Sequence, residues 1–345
     1  MDFGPSTEQA MLRDLVRRFL ADRQGGTMGH GPIAPEDWKA LGELGLFAFL
    51  LPERAGGMGG GAADVAIVAE ELGRGLAITP LAESLLLAAR LIANHGTPEQ
   101  IVRWIEPVAR GEIVLGFAQG GRAQREVAGW TIDGTIDLVR DGMAASAILV
   151  LAPGAPPLLV DAESPSLVRS AVRLVDGSLA AQLRFDGAKG EPIDASPTDV
   201  ADAMAWAELA IVAEMVGAMA TLLDTTVDYV KQRRQFGVPI GSFQAVQHRC
   251  ARLFILLEQS RSMLLRAVLD AERESREALL AAKAYVADAA LKLAEDAVQL
   301  HGGMGVTDEA LVGRGLRRIL LLSRLFGGAS AARARLQLAW AEPQS

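Results

Sequence analysis

Apolar residues recur at three- and four-residue intervals up to about residue 110 and again from about residue 199, with short alternating runs in between. Positions 6–22 place Met11, Leu12, Leu15, Phe19 and Leu20 on one face behind a Ser6 or Thr7 cap, which predicts a helix. A polar, Gly-containing segment (23–35) follows, then a helix carrying Trp38 and Leu41. The Gly-rich loop 56–61 leads into a helix over 63–73. Helices near 80–94 and 98–110 complete this part, the second opening on Thr97-Pro98-Glu99-Gln100 with proline in its first turn.

From residue 113 to 194 the pattern changes to short β-type runs at 114–118, 129–132, 147–151, 158–160, 172–174 and 181–185. Gly, Pro and Asp punctuate them, which predicts a small β-sandwich or barrel. Helical spacing returns over 203–232 (Leu209, Val212, Val216, Met219, Leu222, Leu223, Val227, Val230) and 243–272 (Phe243, Val246, Leu253, Leu256, Leu257, Leu264). With the Ala/Leu-rich stretch 279–300, these predict four long helices packed as a bundle. The expected class is α+β, with a helical N-terminal domain (1–112), a middle β domain (113–198) and a C-terminal four-helix bundle (199–345).

Composition adds bounds. A chain of 345 residues with 50% hydrophobic content has ample material for several cores. A net charge of −8 argues against a nucleic-acid backbone as partner. The single cysteine, Cys250, excludes an internal disulfide and reads as a buried, inert thiol in a reducing compartment. No basic segment followed by an apolar run opens the chain, and no run of about 18 apolar residues is evident, so no membrane partner and a cytoplasmic location are expected. The four histidines have no metal-ligand spacing.

Two stretches carry candidate chemistry. The first is Arg233-Arg234-Gln235-Phe236-Gly237-Val238-Pro239-Ile240-Gly241-Ser242-Phe243-Gln244, between two predicted helices. An arginine fork can hold a phosphate bidentately and a Gln amide offers both donor and acceptor, although the same residues also suit a solvated helix end. The second is Gln299-Leu300-His301-Gly302-Gly303-Met304-Gly305. Its glycines let a backbone approach a flat or anionic ligand, and a simple helix stop needs only one of them.

Taken together, Arg-x-x-Phe-Gly…Phe-Gln and Gln-x-x-Gly-Gly-x-Gly resemble the paired signature of the acyl-CoA dehydrogenase family. These flavoenzymes introduce an α,β double bond into an acyl thioester. The N-terminal third resembles the family through Trp38…Leu41-Gly42-Glu43-Leu44-Gly45-Leu46, Leu51-Pro52-Glu53…Gly56-Gly57-Met58-Gly59 and Glu70-Glu71-Leu72-Gly73-Arg74. The likeness spans nearly the whole chain and is weakest in the middle.

The resemblance implies FAD held between two subunits, with Arg233 on the pyrophosphate and Phe236 packed nearby. Gln244, Gln299 and the backbone at Gly302 and Gly303 would contact the adenosine end. Arg234 is expected to be a solvated neighbour, Glu70 and Glu71 to be structural, and His301 to donate a hydrogen bond. On the flavin-ring side the motifs differ from the family pattern. Gly116-Phe117-Ala118-Gln119-Gly120-Gly121-Arg122 stands where Thr-Glu-Pro and Gly-Ser-Asp are usual, and Leu138-Val139-Arg140 replaces Trp-Ile-Thr.

The carboxylate base these enzymes need has no counterpart, so no catalytic residue is assigned. Its usual position falls on Phe326, before Gly327-Gly328-Ala329, and a one-residue slip gives Gly327. The alternative family position lands on Ala207. Glu208 is about 100° away on the helix, and Glu214 is further off in register. Glu208 is the weak catalytic candidate, and a place on a bundle surface or subunit interface is the favoured expectation for it.

Three readings follow. The leading one is the shorter, non-catalytic subunit of a heterotetrameric (α2β2) acyl-CoA dehydrogenase. It would supply adenosine and pyrophosphate contacts to FAD held by a homologous catalytic chain. The acyl-CoA, of fatty or steroid side-chain type, would be reached through that partner, and electrons would pass to an electron-transfer flavoprotein. The second reading is a self-sufficient homotetrameric dehydrogenase using Glu208, and the third a flavin-free scaffold of the same fold.

Overall fold

The computed structural model describes residues 4, 6–23, 32–127, 129–271, 276–307 and 309–341. Most of the polar segment expected at 23–35, namely 24–31, lies outside the described residues. The chain opens with α1 (Thr7–Arg23), α2 (Pro35–Glu43), α3 (Leu46–Leu50) and α4 (Ala62–Arg74). A π-helical stretch Leu81–Ala89 runs into α5 (Arg90–His95). Then α6 (Pro98–Gln100), a second π-helical stretch Ile101–Ile105 and α7 (Glu106–Ala109) make up the predicted 98–110 helix.

Strands β1 (Leu115–Gln119), β2 (Arg122–Glu126), β3 (Gly129–Arg140), β4 (Ala147–Leu151), β5 (Leu158–Asp161), β6 (Leu167–Arg173) and β7 (Leu179–Pro192) follow. Next come α8 (Pro197–Gln232), a two-residue hairpin of β8 (Arg234–Gln235) and β9 (Val238–Pro239), α9 (Gln244–Ala271) and α10 (Glu277–His301). After these, α11 (Leu311–Leu322) and α12 (Gly328–Ala341) are separated by a short turn, Leu325–Gly327, so the described residues of this region form five helices where four were expected.

Helix starts follow local chemistry. Ser6 and Gln9 exchange side-chain and backbone bonds at the start of α1, and Thr97 and Gln100 do the same at α6. Each satisfies two otherwise orphaned backbone donors.

The described chain forms two compact units, and neither is contiguous in sequence. One comprises residues 32–61 and 79–207 and contains the sheet. Its strand order is β1-β4-β5-β7-β3-β2, with β6 also on β7. Only β1–β4 is parallel, in register Leu115 to Ala147; the other pairings are antiparallel. The sheet curls around Ile132, Ile136, Ile148, Val150, Leu158, Leu183 and Phe185, the core the alternating runs predicted. Strand β2 was not foreseen, because Arg122–Glu126 is an exposed edge with no apolar alternation.

The other unit comprises residues 1–31, 62–78 and 208–345. Here α4 and α8 cross at backbone contact. A Cβ at Gly73 would collide with the carbonyl of Glu214, and one at Gly217 with that of Glu70. Although α8 is long and apolar enough by composition to cross a membrane, 89% of its most apolar window is buried, as in a core helix. Cys250 is half-buried rather than fully buried as expected, because it lines a groove with Val230, Pro239 and Val246. Burial still pushes its thiol pKa up, which disfavours the reactive thiolate.

Candidate functional site

The Arg233 motif is the junction of α8, the β8–β9 hairpin and α9. Arg233 closes the helix through its N–H to Tyr229 O (2.8 Å) and accepts from Ile240 N (2.8 Å). Its side chain is exposed and pairs with no carboxylate among the described residues. Arg234, expected to be merely solvated, donates to Gly237 O at 3.1 Å across the hairpin.

The tip of the hairpin is Phe236-Gly237, with φ of 53° and 82°. Positive φ at both central residues is the type I′ turn, which favours Asn or Gly at the first position and strains a phenylalanine. Phe236 is also 92% exposed, touching Phe243 edge-on at 6.2 Å. Neither core packing nor turn propensity accounts for an aromatic at this position. Gln244, the first residue of α9, is exposed as well.

The second motif ends α10. Tyr229, one turn before Arg233, stacks on His301 with ring centroids 4.2 Å apart and donates to its carbonyl at 3.4 Å. His301 Nδ1 donates to Ala297 O at 2.8 Å, the hydrogen-bonding role expected of it. This stack brings the two sequence motifs together. Gly302 has φ 62°, and a Cβ on either Gly302 or Gly303 would meet nothing within 4 Å. With Gln299 exposed beside it, the backbone there is an open ledge.

On the ring side, in the other unit, Leu115–Ala118 are buried, and a Cβ on Gly116 would strike Ile148 Cδ1 at 2.6 Å. These residues pack; they present no donors. Leu138 bulges out of β3 with φ 56° at a break in the β3–β7 register. Val139 is buried, and Arg140 turns inward to Glu83 at 3.6 Å. The adenosine-side set therefore fits an FAD, with an open ledge, an unpaired arginine and exposed amides. On the ring side the inward-facing residues do not: Leu115–Ala118 pack and Arg140 is committed to an internal carboxylate, while Gln119 and Arg122 at the far end of the motif are exposed.

The expectation for Glu208 needs correction. It is fully buried, not on a bundle surface or interface. Its Oε1 accepts from Lys283 Nζ at 2.8 Å and Arg335 Nη1 at 2.6 Å, and these two cations are what make the burial tolerable. Lys283 Nζ also donates to Phe326 O at 3.2 Å and lies 5.3 Å from the centre of the Phe326 ring. Thus both positions at which a base was sought, residues 208 and 326, converge on Lys283. Desolvation lowers the Lys283 pKa, and Glu208 pulls it back up.

Ala207 is a buried methyl. Glu214 is buried too, against Arg318 at 2.7 Å. Glu71 is buried under Arg17 at 2.8 Å, the structural role expected of it, while Glu70 pairs with Arg74 on α4 at 3.8 Å. Among the described residues no cluster of His, Cys, Asp and Glu could hold a metal.

Family models match the chain twice: the N-terminal domain of acyl-CoA dehydrogenases over residues 6–112 and the C-terminal domain over residues 198–340. Acyl-CoA dehydrogenase FadE34 of Mycobacterium tuberculosis is 31% identical over 340 residues, covering 93% of this chain but only 46% of FadE34. The chain thus spans about half the length of that relative. Acyl-CoA dehydrogenase IpdE2 of the same organism is 31% identical, covering 88% of both chains. Among solved structures, the ChsE4-ChsE5 complex from Mycobacterium tuberculosis superposes with a TM-score of 0.90 at 27% identity, covering 100% of both chains. A variant of the Tcur3481-Tcur3483 steroid ACAD superposes with a TM-score of 0.88 at 31% identity, covering 97% of this chain and 98% of that one.

Proposed function

The chain belongs to the acyl-CoA dehydrogenase family of FAD-dependent oxidoreductases, and on that premise we propose that it is a non-catalytic subunit completing the FAD site of a homologous catalytic partner. One observation carries the reading: no carboxylate is free at either base position. Phe326 occupies one, and the nearest acid to the other, Glu208, is sealed between two cations. A general base must reach its substrate's proton, and a carboxylate whose one oxygen takes two charge-assisted bonds inside a core cannot.

The adenosine-side residues point the other way, toward use. Arg233 would hold the pyrophosphate, with Phe236 packed beside it. Gln244, Gln299 and the Gly302–Gly303 ledge would meet the adenosine end. Exposed Phe254, Ile255, Leu338 and Trp340 on α9 and α12 offer apolar surface for a partner to cover. Both solved neighbours above are named as pairs of chains, and one as a steroid enzyme, which favours a homologous partner and a bulky acyl-CoA. No observation favours a self-sufficient enzyme built on Glu208.

The test is flavin content per chain, by absorbance, for the protein alone and co-expressed with any acyl-CoA dehydrogenase-like chain encoded beside it. Colourless alone and one FAD per pair of unlike chains is the expected result, with Arg233→Ala lowering the FAD content of the pair. Full loading and turnover of the chain alone overturns the reading. A pair whose flavin is indifferent to Arg233→Ala would favour a flavin-free scaffold.

A further inference from the structure

The buried cluster on α8, α10 and α12 carries more charge than stability requires. Glu208, Lys283 and Arg335 meet there, and the second carboxylate oxygen of Glu208 is buried without a hydrogen-bond partner among the described residues. Packed apolar side chains of similar volume replace such triads with no loss of stability, and often a gain. An apolar trio could not, however, hold a carbonyl. Lys283 does: its Nζ reaches Phe326 O at 3.2 Å as well as Glu208.

That carbonyl belongs to a residue in an unfavourable conformation. Phe326 has φ 50° and ψ 39°, and Gly327 and Gly328 follow with φ of 79° and 61°. Glycine takes the left-handed region freely, whereas a phenylalanine there is strained and persists only where its surroundings over-determine it. The buried ammonium supplies two such constraints, a charge-assisted bond to the carbonyl and a position near the ring. Arg335 lies on α12 itself, so this helix is tied to the cluster both at the turn that starts it and further along.

We propose that Lys283 is a positioning residue, an internal latch that holds the Leu325–Gly327 turn left-handed and so fixes where α12 begins. Glu208 and Arg335 hold the ammonium in place. The cluster is thereby closed by the chain's own side chains and is not a ligand site. The latch stands or falls on this chain alone; only its meaning as the filled counterpart of a catalytic position rests on the reading above, which flavin content tests separately.

The experiment is hydrogen exchange by mass spectrometry on the full chain, comparing wild type, Lys283→Met, and Lys283→Met combined with Phe326→Gly or Phe326→Ala. Lys283→Met keeps the Glu208–Arg335 pair, so no lone charge is left inside. It is expected to speed exchange of the Gly328 amide, which donates to Leu325 O, and of the first turn of α12 by about tenfold, with α8 and α10 unchanged. Adding Phe326→Gly removes the strain and restores near wild-type exchange. Adding Phe326→Ala removes the same ring, keeps the strain and restores nothing. Uniformly faster exchange across α8, α10 and α12, or equal behaviour of the Gly and Ala pairs, overturns the latch. Should Lys283→Met fail to fold, the neutral and shorter Lys283→Gln takes its place in the same comparison, with the same supporting and overturning outcomes.

Discussion

Replacing Glu208 by Gln separates a structural acid from a catalytic one. The change removes the negative charge on which Lys283, 1% exposed on α10, and Arg335 converge. Breaking a buried ion pair by deleting one partner costs about 3–5 kcal/mol, because the other charge is left uncompensated. Two features favour the lower end. The Arg335 side chain is 37% exposed and can turn to water, and the Gln carbonyl can still accept one bond. A loss of about 3 kcal/mol converts to a fall in Tm of about 4 °C, at about 2.1 cal/mol/K of unfolding entropy per residue over 345 residues. Adding Lys283→Met removes the stranded cation, so the double variant should recover at least half of that fall, the non-additivity expected of contacting residues. The assay is thermal unfolding by circular dichroism, with turnover measured in parallel on any flavin-loaded complex. A Glu208→Gln protein that melts within about 2 °C of wild type refutes the structural argument, since no mechanism of burial leaves so large a change silent. Lost turnover with unchanged Tm would mean that Glu208 acts on substrate.

Two further outcomes follow from local geometry. Leu138 is 59% exposed with φ 56°, so Leu138→Gly relieves left-handed strain and forfeits little burial; a Tm higher by about 1–3 °C is expected, and a lower one contradicts the strain. At the start of α8, Asp199 Oδ2 accepts from Ser196 Oγ (2.7 Å) and Ser196 N (2.8 Å), which holds its carboxyl pKa below the usual range. A depressed folded pKa adds stability above the unfolded value, about 3.9 for Asp, and loses it as pH falls through the folded one. The difference in Tm between wild type and Asp199→Asn should therefore shrink as pH drops from 5 toward 3, and a constant difference would count against the capping bond.

What the sequence disclosed was local. The Arg233 and Gly302 stretches announce themselves because turn chemistry and an arginine fork are written in consecutive residues, and the helices and most strands follow from periodicity over a few turns. The ion clusters were hidden because their partners are remote: Lys283 and Arg335 lie 75 and 127 positions from Glu208, and Arg318 lies 104 from Glu214. One signal was available. Lys283 shares its helix face with Leu279, Leu280, Val286 and Ala287, all buried, and a single charge on such a face calls for a buried partner. Strand β2 left no trace, since an exposed polar edge needs no apolar pattern. Nor does the order of elements disclose that α1 and α4 share a compact unit with residues 208–345, because that grouping is made by contacts of high sequence separation.

The positions of backbone strain join these threads. Among the described residues the non-glycine positions with left-handed φ are Leu76, Leu138, Asp141, Phe236 and Phe326. Three of them, 138, 236 and 326, are positions where the motifs placed cofactor or catalytic chemistry. At Phe236 the strain holds an exposed ring in solvent beside an unpaired arginine, and a ligand or partner would be the gain that offsets it. At Leu138 and Phe326 the same backbone shape carries side chains that can neither donate, accept nor take a proton. At both positions a left-handed backbone therefore carries a side chain without acid–base or hydrogen-bonding chemistry. That is possible because the shape is fixed from outside, by the β3–β7 register break at one position and by Lys283 at the other. Glycine at either position would relieve the strain at a smaller cost in chain entropy. On the proposed reading, the exposed Phe236 is the strained position with a use outside the chain, and Leu138 and Phe326 are strained positions that the chain itself supports.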